Sequence, residues 1–534
     1  MVKFWLDKLA EQVNEKFPDE EVLHLNCGLS IRGPQHIGRI RGELCIPSSI
    51  KRILEEKFGR KAIHYIVLYD LDPIKDKALK IAFKDKEKQK KYSGVSLINL
   101  EDPFGCHKNW VEHFWADFGN YLDDFGFDVE IVKTSEFYKM RGTKELIKWI
   151  LQNRKKVVEV VNKFRKRNPW PEDHIPINPI CENCLSINHT VAKSFDLEKY
   201  TISYKCQKCG FEGETSLENA KLNWRLEWPA LWKVLHIEFE PCGKDHASAG
   251  GSRETCSYFA KEIFGFEAPL WEWFGWVSLR MRGKDLGEMT ASGFVGITPK
   301  EWLQIADAEI LRFLFIFTRP HTSINLDLDN LPVYYNHYYK AQDVFLGRRE
   351  ERNERERNNL IRAFELTQIG KPKILPEIPY DFAALIAQVV DVNKNFDRAV
   401  EILKRTNHLP EKISEEEREL VKNLLIRSLN WVKLYAPERV KLKISEEVNE
   451  EIKRKLSEKQ KNALKKFAKI LDEKKSDEEL IEEINKIIEG EGIERSEFFK
   501  AIYLVILGKE FGPRLIPLVR VIGMDKVAKI ISSI

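Results

Sequence analysis

The sequence predicts an α/β chain: a parallel, doubly wound sheet, interrupted by a cysteine-rich insertion and followed by an all-helical C-terminal part. Three observations carry this prediction. Short apolar runs alternate with helical stretches between residues 22 and 241, which implies parallel strands joined by helical crossovers. Four cysteines spaced C-x2-C-x21-C-x2-C stand between the third and fourth runs, so they mark an insertion within the sheet. From about residue 300 onward apolar residues recur at helical spacing, as in Leu420, Leu424, Leu425 and Leu429.

Taken in order, residues 22–30 (VLHLNCGLS) read as a buried strand closed by the turn Arg32-Gly33-Pro34, and a helix starts near His36. Residues 61–69 (KAIHYIVLY) give a second strand ending at Asp70-Leu71-Asp72. VEIVKT (129–134) gives a third and HIEFEP (236–241) a fourth. The stretch 151–167 carries seven Lys/Arg against one acid, Glu159, and reads either as a phosphate-contacting face or as a solvated helix face. RREERNERERNN (348–359) alternates charge and shows no core face, and the Pro-rich KPKILPEIPYD (371–381) marks a boundary. The charged 445–490 segment resembles solvated helices around a modest core. The expected units are 1–150, 151–234, 235–300, 301–355 and 356–534.

Composition narrows the class. At 534 residues and 43% hydrophobic, the chain has room for about three to five domains with sizeable cores, which excludes a largely disordered protein. No run of about 18 apolar residues occurs, so no membrane span is expected. The opening MVKFWLDKLAEQVNEKF reads as an amphipathic helix rather than a signal peptide, and a cytoplasmic protein is expected. A net charge of +4 does not by itself imply a nucleic-acid partner.

Two constellations carry chemistry. Cys181, Cys184, Cys206 and Cys209 form two knuckles, the second ending in Gly210, and four thiolates suit tetrahedral Zn²⁺. Because the protein fills all four positions, such a zinc is structural; four free thiols in a small β insert is the plainer alternative. Cys27, Cys45, Cys106, Cys242 and Cys256 are scattered and read as small buried apolar residues. The second constellation is Gly28-Leu-Ser30-Ile-Arg-Gly33-Pro-Gln-His36-Ile-Gly38-Arg39, which joins the first strand to a helix. Backbone N–H groups at a helix start attract anions, His36 adds a donor, and Gly38 lets a nucleotide approach the backbone. A helix-capping histidine is the bland alternative.

The ordered set of motifs resembles the class I lysyl-tRNA synthetases of archaeal type. His36-Ile37-Gly38-Arg39 is similar to the "HIGH" signature of that class. Asp102-Pro-Phe-Gly-Cys-His107 with Glu112-His113-Phe114, Thr134-Ser-Glu-Phe-Tyr138, Trp224-Arg-Leu-Glu-Trp-Pro229, Phe239-Glu-Pro-Cys-Gly-Lys-Asp-His246 and Leu507-Gly-Lys-Glu-Phe-Gly-Pro513 resemble further family segments. The resemblance implies a Rossmann-type catalytic part in two halves, a linker over 301–355 and an anticodon-binding helical tail. It implies a ligase that uses ATP with Mg²⁺ to turn L-lysine into lysyl-adenylate and passes the lysyl group to tRNA(Lys). By the same resemblance, His36, Gly38, Arg39, Met289, Thr290 and Ser292 serve catalysis. Gly33, His36, Gly38, Gly243, Asp245 and His246 hold ATP, and Gly28, Ser30, Trp224 and His246 hold lysine. The lysine ammonium also needs a carboxylate, for which Glu240, Asp70 and Asp72 stand equal.

The sequence departs from the family at its second signature, typically KMSxSK. The matching segment, Glu288-Met-Thr-Ala-Ser-Gly293, lacks both lysines. Losing one such group is expected to slow activation by roughly 10²–10³. Arg280, Arg282 or Lys284, just upstream, could reach the phosphates instead. Two alternatives follow: a binding-only paralogue, or an enzyme that passes its adenylate to another acceptor.

Overall fold

The computed structural model describes residues 3–370 and 372–534. Its centre is a four-stranded parallel sheet of β1 (Val22–Leu29), β2 (Lys61–Leu68), β3 (Glu130–Lys133) and β4 (Ile237–Phe239), in the order β3-β2-β1-β4. The strands are apolar because helices cover both faces; Leu23, Leu25, Cys27 and Leu29 of β1 are all buried. Strand order reverses between β1 and β4, and open sheets of this kind bind ligands beyond the carboxyl ends at that switch. After β4 the sheet continues through short parallel pairings, Phe239 with Leu270 and Cys242–Gly243 with Trp273–Phe274.

The crossover after β1 begins its helix at Gly38, winds wide as a π-helical turn over Ile40–Cys45, and continues as an α-helix over Ile46–Phe58. Wide turns of this type concentrate at functional sites. Here Gly42 lies against the Phe274 ring, where no Cβ would fit. Buried Arg41 donates to the carbonyls of Gly275 (2.8 Å), Arg319 (3.1 Å) and Thr322. The first crossover is thereby riveted to the segment that follows the sheet.

The insertion returns between Ile177–Pro179 and Ala220–Leu222, which pair antiparallel and frame a three-stranded sheet of Thr190–Asp196, Thr201–Cys206 and Glu212–Ser216. Within 151–167, Val157, Val158, Val160 and Val161 are buried. Arg154 stacks on Phe195, Lys155 pairs with Glu172, Lys163 meets Tyr258 and Arg165 lies over Trp170. Those four cations already have partners, which favours the solvated-face reading.

Beyond the sheet, β5 (Val277–Met281) and β6 (Lys284–Glu288) form a hairpin, and β7 (Ile324–Asp327) pairs parallel with β5. From residue 300 onward the chain is almost wholly helical, as expected; β7 is the exception, an alternating Ile-Asn-Leu-Asp too short to stand out. The charged run 348–359 buries none of its residues, as expected; the core face of the helix Glu354–Thr367 begins just beyond it, at Leu360 and Phe364. The Pro-rich segment after it is pinned by Gln342, which exchanges two 2.9 Å hydrogen bonds with the Leu375 backbone. In the charged tail Ser414, Ser457 and Ser476 each form a capping box, which fixes where three helices start. Among the described residues no helix is long and apolar enough to cross a membrane.

Candidate active site

A cleft of about 730 Å³ opens beyond the carboxyl ends of β1, β2 and β4. Gly28, Ser30, His36, Gly38, Arg39, Trp224, Gly243, Asp245, His246, Met289, Thr290 and Ser292 all line it. Residues spread over most of the first 300 positions converge because they stand at the carboxyl ends of strands, just after them, or at helix starts. Gly33 does not line the cleft. Its φ of +152° and its approach to the Ala291 carbonyl, which leaves no room for a Cβ, make it a contact between the two signature segments.

The two signatures are clasped together. The Ile37 N–H donates to the Ile297 carbonyl at 2.8 Å, and the Met289 sulfur lies 3.4 Å from where a Cβ on Gly38 would stand. That same Cβ would be 2.9 Å from His36 Nδ1, so the glycine is what lets the imidazole lie flat against the helix start. His36 is 7% exposed and its Nδ1 has no hydrogen-bond partner. Burial, helped by the charge of Arg39, holds its pKa down at about 3, so the ring is neutral at ordinary pH. The Glu288–Gly293 loop closes as a small hairpin in which Thr290 and Val295 exchange backbone bonds of 2.8 and 3.1 Å. Phe294, in the left-handed region at φ 56°, packs its ring against Phe114 at 5.4 Å.

At the other end of the cleft the walls are aromatic. Trp228 and Trp224 lie 5.5 and 6.3 Å from the His246 ring. Gly28 faces Tyr69 so closely that a Cβ would sit 2.6 Å from the phenol ring. The structure separates the three carboxylates that the sequence left equal. Asp70 lies outside the cleft lining and is consumed by Thr134 Oγ1 and the Ser135 N–H at 2.7 and 2.8 Å. Asp72 accepts from Arg32 (2.7 Å) and Ser30 (2.8 Å) and sits 3.4 Å from Lys221. Burial works against its charge, but Lys221 and Arg32 hold its carboxyl below the usual range. Lys221 is itself buried and also pairs with Glu227, and together these acids keep it protonated against burial. Glu240 lines the cleft, is 2% exposed, and accepts from the indoles of Trp228 (3.1 Å) and Trp232; burial pushes its carboxyl pKa up, and the buried Arg253 guanidinium nearby opposes that shift. Among the described residues it forms no ion pair.

Residues 3–370 match the family described as tRNA synthetases class I (K), and residues 431–533 match an anticodon binding domain. The chain is 38% identical to a lysine–tRNA ligase of Aeropyrum pernix, over 96% of this chain and 94% of that one. It is 34% identical to a lysine–tRNA ligase of Methanocaldococcus jannaschii, over 98% of both. The chain belongs to the class I (K) tRNA synthetase family.

In this synthetase, the rescue of the loop lysines by Arg280, Arg282 or Lys284 is not what the geometry offers. None of the three lines the cleft. Arg282 turns away: its Nε donates to the Leu434 carbonyl at 3.1 Å and its backbone N–H to Asp329. Lys75, exposed just after Asp72, does line the cleft and was passed over because nothing in its spacing marks it.

Two side-chain groups have the donors a metal needs. The Cys181, Cys184, Cys206 and Cys209 sulfurs lie within 4.8 Å of one another, the Cys181–Cys209 and Cys184–Cys206 pairs both at 3.6 Å. The second group was missed, and it corrects the reading of Cys106 as a buried apolar residue. Cys106 is exposed, and its sulfur lies 3.1 Å from His107 Nδ1 and 3.2 Å from His113 Nδ1. Asp102 completes that tetrad, 3.1 Å from His113. Despite burial of its carboxyl, N–H donation from Phe104, His107 and Cys106 brings the Asp102 pKa down to about 2. The signal was present in the run D-x3-C-H-x5-H, whose donor types are those of a zinc site.

Proposed function

We propose that this synthetase is a lysine–tRNA ligase that activates L-lysine with ATP and transfers the lysyl group to tRNA(Lys). The observation that carries the reading is the clasp of the two signature segments over one cleft, with an aromatic, carboxylate-ended compartment beside it. The lysine carboxylate attacks the α-phosphorus of ATP, the bond to the bridging oxygen breaks, and pyrophosphate leaves with the electron pair. The terminal ribose hydroxyl of the tRNA then takes the lysyl group and AMP departs. No protein nucleophile is needed, so positioning and charge stabilisation supply the rate.

Neutral His36 and the helix start at Gly38 and Arg39 face the phosphates with donors. Thr290, Ser292 and Met289 close the far side, while Gly243, Asp245 and His246 hold the adenosine end. Gly28, Ser30, Trp224 and His246 line the amino-acid compartment. Glu240 takes the side-chain ammonium, because Asp72 and Glu227 are already neutralised by Arg32 and Lys221. The aromatic walls suit a methylene stem ending in a cation. Mg²⁺, which prefers oxygen ligands, would neutralise phosphate charge, and Asp245 and Glu288 are the carboxylates on that side. Zn²⁺ would be held by the four cysteine thiolates and by the Asp102, Cys106, His107 and His113 group, both structural. The helical tail from residue 431 binds the anticodon end of the tRNA. The ligase acts in the cytoplasm.

The test is lysine-dependent ATP–pyrophosphate exchange followed by charging of total tRNA with labelled lysine. Exchange with lysine and stable charging support the reading. Exchange without charging would instead favour another acceptor, and no exchange with any amino acid the binding-only paralogue.

A further inference from the structure

Transfer needs room that activation does not. The terminal ribose hydroxyl has to reach the lysyl carbonyl inside the cleft, so the last nucleotides of the tRNA must enter as a single strand. A side cavity of about 420 Å³ adjoins the cleft, and Arg32, Pro73, Lys75 and Asn188 line both. The junction lies on the amino-acid side, because Arg32 donates to the same Asp72 that accepts from Ser30 Oγ. The two walls come from distant parts of the chain: the crossover after β2, including Ser93 and Gly94, and the insertion, through Asn188 and His189. Hydrogen bonds to the crossover backbone hold the insertion there. The Ile187 N–H donates to the Gly94 carbonyl at 2.8 Å, and Lys208 Nζ donates to the Lys91 and Ser93 carbonyls at 2.6 and 2.8 Å. Gly94, at φ +72°, makes way for the His189 ring, which lies 2.5 Å from where a Cβ would stand. Ser186 Oγ, 2.8 Å from His189 Nδ1, fixes the ring's orientation. Several lining groups are left uncommitted. Lys75 and Asn188 are exposed, and their side chains make no hydrogen bond or ion pair among the described residues. Arg32 Nε is buried without a partner. Against these groups the lining sets one acid, Asp76, whose carboxylate is 3.4 Å from Ser93 Oγ.

We propose that this side cavity binds a nucleotide of the single-stranded 3′ end of the tRNA, with its phosphate on Lys75 and Arg32 and its base on His189 and Asn188. The inference rests on the ligase reading and gives that reading's second substrate a site. Cations take a phosphate whatever the sequence, while a planar ring stacks on a base and an amide bonds to its edge. A strand held there runs on into the cleft at Ser30 and brings its ribose hydroxyl to the lysyl carbonyl. The hydroxyl oxygen bonds to that carbon, the bond to the AMP oxygen breaks with its electron pair, and the hydroxyl proton goes to the departing phosphate. Lys75 and His189 hold the strand and neither gain nor lose a proton. Burial and the charges of Arg32 and Arg39 draw the Lys75 pKa down, and a bound phosphate would relieve that crowding. ATP is the poorer occupant, since none of His36, Gly38, Gly243 and Asp245 lines the side cavity.

The experiment measures binding of a tRNA(Lys) transcript to the full-length protein, intact and trimmed of its last three nucleotides, beside lysine-dependent ATP–pyrophosphate exchange and single-turnover transfer from preformed lysyl-adenylate. The parent's own exchange and charging report on the ligase reading. The comparison of variants with parent on the two tRNAs reports on this inference, and it can be read even from a protein that does not exchange. His189→Ala is expected to weaken binding of intact tRNA roughly tenfold, the scale of losing one base stack, and to slow transfer by as much at subsaturating tRNA. His189→Phe keeps a stacking face and should keep most of both. Lys75→Ala should also weaken binding and lower its logarithmic salt dependence by about one phosphate contact. Trimmed tRNA should bind the parent and all variants alike. Exchange, which needs no tRNA, should stay within threefold of the parent, which a general structural defect would not allow. The proposal is overturned if both alanine variants bind intact tRNA within threefold of the parent. It is overturned if trimmed tRNA loses as much affinity as intact tRNA, which would put the contact on the body of the tRNA. It is overturned as well if exchange falls along with transfer, which would give the cavity to a phosphate of ATP.

Discussion

Glu240 and His36 are each defined by what they lack. Glu240 is a buried carboxylate with two indole donors and no direct ion pair among the described residues, the Arg253 charge acting on it from farther away, which leaves room for the substrate ammonium proposed as its partner. Glu240→Gln is expected to raise the KM for lysine by about 10²-fold while leaving the KM for ATP within threefold, because a lost charge-assisted hydrogen bond is worth about 2–3 kcal/mol. An unchanged lysine KM in the exchange assay would remove Glu240 from that role. Burial also sets the pH response of stability. His64 on β2 meets Ser48 Oγ at 3.0 Å, and burial, helped by the charge of Lys51, brings its pKa to about 3, much as with His36. The unfolded chain protonates these rings near pH 6.5 and the folded one does not. Stability is therefore full above about pH 6.5 and falls as pH drops toward 3, by about 1.4 kcal/mol per pH unit for each histidine. The melting temperature should fall between pH 7 and pH 5, and by less in His64→Gln. An equal drop in parent and variant would contradict the assignment.

Among the elements, the signature clasp and the cysteine insert make separable predictions. Gly33 allows the first turn to touch the Ala291 carbonyl, and alanine there meets both a left-handed backbone and a backbone clash. Gly33→Ala is expected to cut exchange at least tenfold and to speed hydrogen exchange at residues 289–296, with β1 and β2 unaffected. Protection unchanged across that loop would mean the clasp does not depend on Gly33. The strands of the insert lean on the neighbouring core through Ile187 and Ile202, but around the cysteines there is only a small cluster, Cys181, Tyr204 and Cys206 with Cys184 and Phe211 against them, too little to hold that end without help. Chelation should therefore release metal and expose amides in 181–216 while β1, β2 and β4 keep their protection. Full protection in metal-free protein would show that the insert folds without an ion.

Across the whole molecule, the tail is tied to the sheet domain through a buried ion pair. Asp307, 4% exposed, is bonded by Arg427 of the helix Glu415–Leu434 and by Tyr335 at 2.8 Å, with Lys373 3.5 Å away. Burial opposes its charge, yet Arg427 and Lys373 hold its pKa below the usual range. Trp431 adds a 2.7 Å bond to the Leu328 carbonyl, next to β7. Asp307→Asn leaves Arg427 without its counter-charge, and a loss of about 3–5 kcal/mol is expected, seen as a lower unfolding midpoint and new proteolytic cleavage between residues 371 and 415. A midpoint within 1 °C of the parent would show that the junction does not rely on this pair.

The sequence by itself determined the β1, β2 and β4 strands, the crossover signature His36-Ile37-Gly38, the insertion and its four cysteines. Each of these is written in neighbouring residues, as a run of apolar side chains, a turn, or a knuckle. The fold alone decided which carboxylate is left uncommitted, since Asp70, Asp72 and Glu240 look alike until Thr134, Arg32 and Lys221 are brought beside two of them. It alone gathered Cys106 with His107, His113 and Asp102. Charge pairing and steric room act through space between residues far apart in the chain, and spacing along the chain carries no record of them.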